Sequence, residues 1–88
     1  MSNKERLAAL ILELRQNGVT DGAVLAAIEN TPRDTFLPKP FKDRAFQNVA
    51  LPIGHHQTVS QPGVVGLMTQ ELEINDRHKV LEIGTGSG

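Results

Sequence analysis

An α/β fold is predicted, in which an N-terminal helical region runs into the first strand of a β-sheet, and three observations predict it. Leu7, Leu10, Ile11 and Leu14 recur at i, i+3, i+4 and i+7, the spacing of one helix face. Gly18, Pro32, Pro38, Pro40 and Gly54 then break the chain into short pieces. Near its end, Val80-Leu81-Glu82-Ile83 runs straight into Gly84-Thr85-Gly86-Ser87-Gly88, a strand feeding a glycine-rich loop.

The first helix is capped by Ser2 or Asn3 and stopped by Gly18 after Asn17, with Lys4, Glu5, Glu13 and Arg15 toward water. Asp21 caps a second helix whose apolar stripe is Val24, Leu25 and Ile28, and Pro32 ends it because the residue before a proline is pushed out of helical geometry. The two helices should form a hairpin. In the proline-punctuated stretch that follows, Phe36 and Leu37 are expected to plug onto the core, and residues 41–46 to make a short helical turn. Residues 50–54 read as extended and then turning, and residues 54–61 as a polar segment. Pro62 suits the first turn of a third helix, where a missing N–H costs nothing, with Val64, Val65, Met68 and Leu72 on its apolar face and Leu67 beside it. Asn75-Asp76 turns the chain into a strand over residues 79–83.

Composition excludes several functions. The net charge is −1 and no Lys/Arg cluster occurs, which argues against nucleic acid or an anionic membrane as partner. There is no cysteine, hence no disulfide, thiolate metal site or catalytic thiol, in keeping with a reducing compartment. The apolar run at residues 7–12 is too short for a membrane span or signal peptide, so a soluble cytoplasmic protein is expected. Nothing in the sequence sets an oligomeric state.

Two segments carry chemistry. Glycines without Cβ atoms let a loop turn sharply off a strand and let a ligand approach the main chain, at the strand end where open α/β sheets bind ligands. Glu82 brings a carboxylate suited to a ligand bearing an ammonium group or hydroxyls. No lysine follows to make a P-loop, and the alternative is a tight turn between strand and helix. The other segment is Gln57-Thr58-Val59-Ser60-Gln61-Pro62, where an extended backbone would turn Thr58 and Ser60 to one side. Ser60 also stands where a helix cap belongs, and capping is the competing reading of it. His55 and His56 would point to opposite sides of an extended segment and His78 is distant, so no metal site is expected and the histidines are read as solvent-facing.

Taken together, these residues resemble a known family. Residues 80–88 look like the first cofactor motif of class I methyltransferases. Leu51-Pro52-Ile53-Gly54-His55-His56-Gln57-Thr58-Val59-Ser60-Gln61-Pro62 looks like the segment peculiar to protein-L-isoaspartate O-methyltransferases, and residues 31–38 resemble that family's Pro-Arg-x-x-Phe-x-Pro stretch. The resemblance covers nearly the whole chain. It implies an N-terminal piece with residues 1–61 as helical region and active-site segment, and residues 62–88 as the start of a truncated, Rossmann-like class I methyltransferase domain. It further implies methyl transfer from S-adenosyl-L-methionine to the α-carboxylate of L-isoaspartyl residues in damaged proteins and peptides, which begins their repair through a succinimide.

By position, the resemblance makes Ser60 the active-site serine. Thr58, Val59 and Ser60 would border cofactor and substrate, and Glu82, Gly84, Gly86 and Gly88 would hold the cofactor. His56 departs from the pattern, where many members have glycine, and Gly63 and Gly66 are small where bulkier residues are usual, weakening the helix slightly. The acidic residue that holds the cofactor's ribose would lie beyond residue 88, so the chain alone is expected to bind cofactor weakly or not at all and to be inactive. A lone first strand is expected to be poorly anchored, since a parallel neighbour needs a crossover. Two alternatives remain at this point: a piece of a nicotinamide-dependent Rossmann oxidoreductase, and a non-catalytic helical fragment.

Overall fold

The computed structural model describes residues 2–87. Helices α1 (Asn3–Gln16) and α2 (Gly22–Glu29) are followed by two 3-10 turns, Arg33–Phe36 and Lys39–Arg44. Strands β1 (Leu51–Gly54) and β2 (Gln57–Val59) and helix α3 (Pro62–Glu71) complete the regular structure, so the chain is α/β with one small antiparallel sheet.

Local chemistry fixes the helix ends. The Ser2 hydroxyl oxygen accepts from the Glu5 N–H at 3.2 Å, and its O–H donates to the Glu5 carboxylate at 3.1 Å. At the other end of α1 the Val19 N–H donates to the Leu14 carbonyl at 2.9 Å and the Gly18 N–H to the Arg15 carbonyl at 3.3 Å. That paired closure requires the left-handed backbone of Gly18, φ +103°. It folds Val19 onto Leu14, both without exposed surface. The Asp21 carboxylate caps α2 through the N–H groups of Ala23 and Val24.

Two apolar clusters result. Leu10, Leu14, Val19 and Leu25 form one between α1 and α2, and Leu37, Ala45 and Leu51 form the other beneath the hairpin. Phe46 packs against both. Leu37 plugs into the core as expected, but Phe36 is 44% exposed, because the 3-10 turn that buries one neighbour swings the other outward.

Helix α3 differs from expectation in the face it buries. Pro62, Gly63 and Gly66 are the buried residues, while Val64, Val65, Met68 and Leu72 stay exposed. The two glycines allow the backbone to approach its neighbours: a Cβ on Gly66 would meet Val19 and Ile28, and one on Gly63 would meet Asn48. The small residues thus serve close packing. Gln70 secures the helix at its far end, its Oε1 accepting from the Thr20 and Asp21 N–H groups at 2.8 Å each and its Nε2 donating to the Gly18 carbonyl at 3.0 Å.

The polar segment is a hairpin. Leu51 pairs with Val59 and Pro52 with Thr58, with an irregularity before Gly54. His55 and His56 are not extended: both take left-handed φ, +52° and +57°, as the two-residue turn. Both remain exposed.

The expected strand at residues 79–83 does not form. A strand is stable only with a partner for its N–H and C=O groups, and no such partner lies beside it among the described residues. Val80, Leu81 and Ile83 are accordingly 63%, 86% and 90% exposed.

Candidate functional site

Ser60 stands between two anchors. On one side Val59 pairs with the buried Leu51; on the other, the buried Pro62 begins α3. The N-cap is Gln61, with extended backbone and no side-chain capping bond, so Ser60 is not the capping residue. Its side chain is exposed.

A cleft of about 430 Å³ opens at this point. Gln57, Thr58, Val59 and Ser60 line one side, and Glu82, Gly84, Thr85, Gly86 and Ser87 line the other. Val24, Ile28 and Val65 give it apolar surface, and Arg33, Phe36 and Thr69 also reach it. Six of the seven residues singled out from the sequence therefore meet in one cleft: Thr58, Val59, Ser60, Glu82, Gly84 and Gly86. Gly88 lies outside the described residues.

The glycine side has the form of a ligand cradle. Gly84 and Gly86 take left-handed φ, +74° and +67°, and a Cβ on either would meet no described atom within 4 Å. Main-chain groups can thus be approached from outside, with the Glu82 carboxylate nearby for a cationic or hydroxylated ligand. A second, more open groove of about 750 Å³ runs between α1 and residues 43–49. None of the residues singled out from the sequence lines it, and larger size does not supply chemistry.

Arg33 is the residue at the cleft to which sequence reasoning gave no role. Its guanidinium donates to the Gln47 carbonyl at 3.3 Å and the Val49 carbonyl at 3.1 Å. Its Nε is buried without a hydrogen-bond partner among the described residues. Burial pushes the guanidinium below its ordinary pKa, because the charged form loses hydration. The only sequence signal was its place in the Thr31-Pro32-Arg33 stretch; contacts with two carbonyls far along the chain have no local signature.

Among the described residues no group of three or more His, Asp or Glu is arranged to hold a metal ion, and no helix is long and apolar enough to cross a membrane.

Comparison with known proteins gives a consistent result. The family model for protein-L-isoaspartate(D-aspartate) O-methyltransferase (PCMT) matches residues 4–88. The protein-L-isoaspartate O-methyltransferase of Rhodospirillum rubrum is 67% identical over 88 residues, all of this chain and 40% of that protein. The enzyme of the same name from Rhodospirillum centenum is 59% identical over the same span and coverage. That of Paramagnetospirillum magneticum is 60% identical over 83 residues, 94% of this chain and 39% of that protein. The chain thus spans about 40% of the length of the curated relatives it matches.

Proposed function

The chain belongs to the protein-L-isoaspartate(D-aspartate) O-methyltransferase family, and on that premise we propose that the protein carrying it methylates the α-carboxylate of L-isoaspartyl residues in damaged proteins and peptides, with S-adenosyl-L-methionine as donor. The observation that carries the proposal is the shared cleft, with the Ser60 segment along one wall and the open glycine backbone along the other. In this reading residues 1–61 hold the helical region and active-site segment, and residues 62–88 begin a Rossmann-like methyltransferase domain working in the cytoplasm.

The donor, when bound, supplies an activated methyl group on a sulfonium. The rest is the work of this chain's residues. An α-carboxylate, with an unperturbed pKa of about 3.5, is already ionised at neutral pH and needs no general base. Its oxygen would accept the methyl group as it stands, the carbon–sulfur bonding pair returning to the donor's sulfur, with no proton to move. What remains is alignment. The Ser60 hydroxyl is suited to donate a hydrogen bond to the acceptor carboxylate and fix its direction. The half-buried charge of Arg33 lends the cleft a potential that favours an anionic group. Glu82 and the Gly84–Gly86 backbone are suited to the donor's cationic and hydroxyl-bearing parts. Ser60 is thereby a positioning hydroxyl in contact with substrate, and no histidine partner is required.

The test is substrate discrimination. A chain extended to the length of its relatives should transfer labelled methyl groups to an L-isoaspartyl peptide and ignore the isomer with an ordinary aspartyl residue. Equal labelling of the two would refute the proposal.

A further inference from the structure

Ser60 is separated from the start of α3 by one residue, so whatever fixes the first turn of α3 also limits where the Ser60 backbone can sit. That turn lacks a cap from its own N-cap residue. Its support comes instead from Asn48, 15 positions earlier, whose side-chain Oδ1 accepts from the Gly63 N–H at 2.7 Å in a partly buried contact. The fit is close: a Cβ on Gly63 would come within 2.9 Å of that oxygen. Asn48 is itself held. Arg33 donates to the carbonyls of Gln47 and Val49, the residues immediately before and after it, which pins the backbone on both sides of the capping side chain.

From this network we infer that Asn48, braced by Arg33, is a positioning residue for Ser60. Asn48 does not line the cleft and touches no reacting atom; it acts by clamping the helix start that follows Ser60. A lost clamp lets the first turn and the residues before it shift. Displacements of about an ångström at a reacting centre can cost on the order of a hundredfold in rate. The half-buried Arg33 guanidinium spends two of its donors on main chain, which explains why it sits beside the hairpin without a carboxylate partner among the described residues.

The inference rests on the proposed methyl transfer for its kinetic readout, and the geometric claim has a readout of its own. In a chain extended to the relatives' length, Asn48→Ala should lower kcat for an isoaspartyl peptide by roughly ten- to a hundredfold. The Kd for S-adenosyl-L-methionine should rise far less than kcat falls, because the glycine side of the cleft is untouched and only the Thr58–Ser60 edge moves. Asn48→Asp keeps an oxygen for the Gly63 N–H and adds a charge favoured at a helix start, so it should restore most of kcat. An unchanged kcat in Asn48→Ala would overturn the inference. So would an Asn48→Asp protein as slow as Asn48→Ala. If the parent enzyme labels no isoaspartyl peptide, the methyl-transfer proposal fails, and amide exchange in the 88-residue chain decides the clamp independently. Gly63 should exchange faster in Asn48→Ala and at the parental rate in Asn48→Asp; equal rates in all three proteins would rule the clamp out.

Discussion

A Cβ on Gly66 would come within 3.1 Å of both methyl carbons of Val19, a residue with no exposed surface. Val19 is held by its N–H bond to Leu14 and has no room to move aside. Gly66→Ala therefore overpacks the contact, at about 1–3 kcal/mol, against about 1 kcal/mol that alanine returns through helix propensity. A net loss of about 1 kcal/mol is expected in urea unfolding. A gain would mean that α3 sits farther from Val19 than the structure has it.

His56 sits at φ +57° in the hairpin turn, a conformation that glycine adopts without steric cost. His56→Gly should relieve about 1 kcal/mol of left-handed strain and give part of it back in unfolded-state entropy. The urea midpoint should rise slightly. A fall would indicate that the imidazole makes a contact that holds the turn.

Ser60 offers a clean separation of roles. Because Gln61 is the N-cap, Ser60→Ala should leave the urea midpoint unchanged. In the chain extended to the relatives' length it should lower kcat by roughly tenfold or more. A stability loss of about 1 kcal/mol with normal turnover would instead reveal a capping serine.

The segment from Glu82 to Ser87 has no ladder to hold it, so a ligand binding there must also cover the cost of ordering it. The 88-residue chain is expected to bind S-adenosyl-L-methionine no tighter than about millimolar by calorimetry. Micromolar binding would show that residues 82–87 are already set for the ligand.

What the sequence made legible followed from local rules. Ser2, Asp21 and Gly18 mark helix ends because capping is settled within three or four residues, and Pro62 marks a helix start for the same reason. The segment at residues 57–60 stood out through its density of polar groups. What stayed hidden depended on distant partners. Periodicity alone marked Val64, Val65, Met68 and Leu72 as one apolar face, whereas the packed face of α3 is chosen by how closely Gly63 and Gly66 let it approach Asn48 and Val19. The adjacent histidines looked extended because only pairing of Leu51 with Val59 forces the turn between the strands. Residues 79–83 carry strand composition, but a strand exists only when another backbone lies alongside.

Phe46 belongs to both apolar clusters, the one between α1 and α2 and the one beneath the hairpin. One aromatic ring thus touches both the helical half of the molecule and the hairpin before Ser60, alongside the contacts by which Gln70 and Gly66 return α3 to Gly18, Val19, Thr20 and Asp21. Trimming that ring should therefore loosen the hairpin from the helices before α3 separates from them.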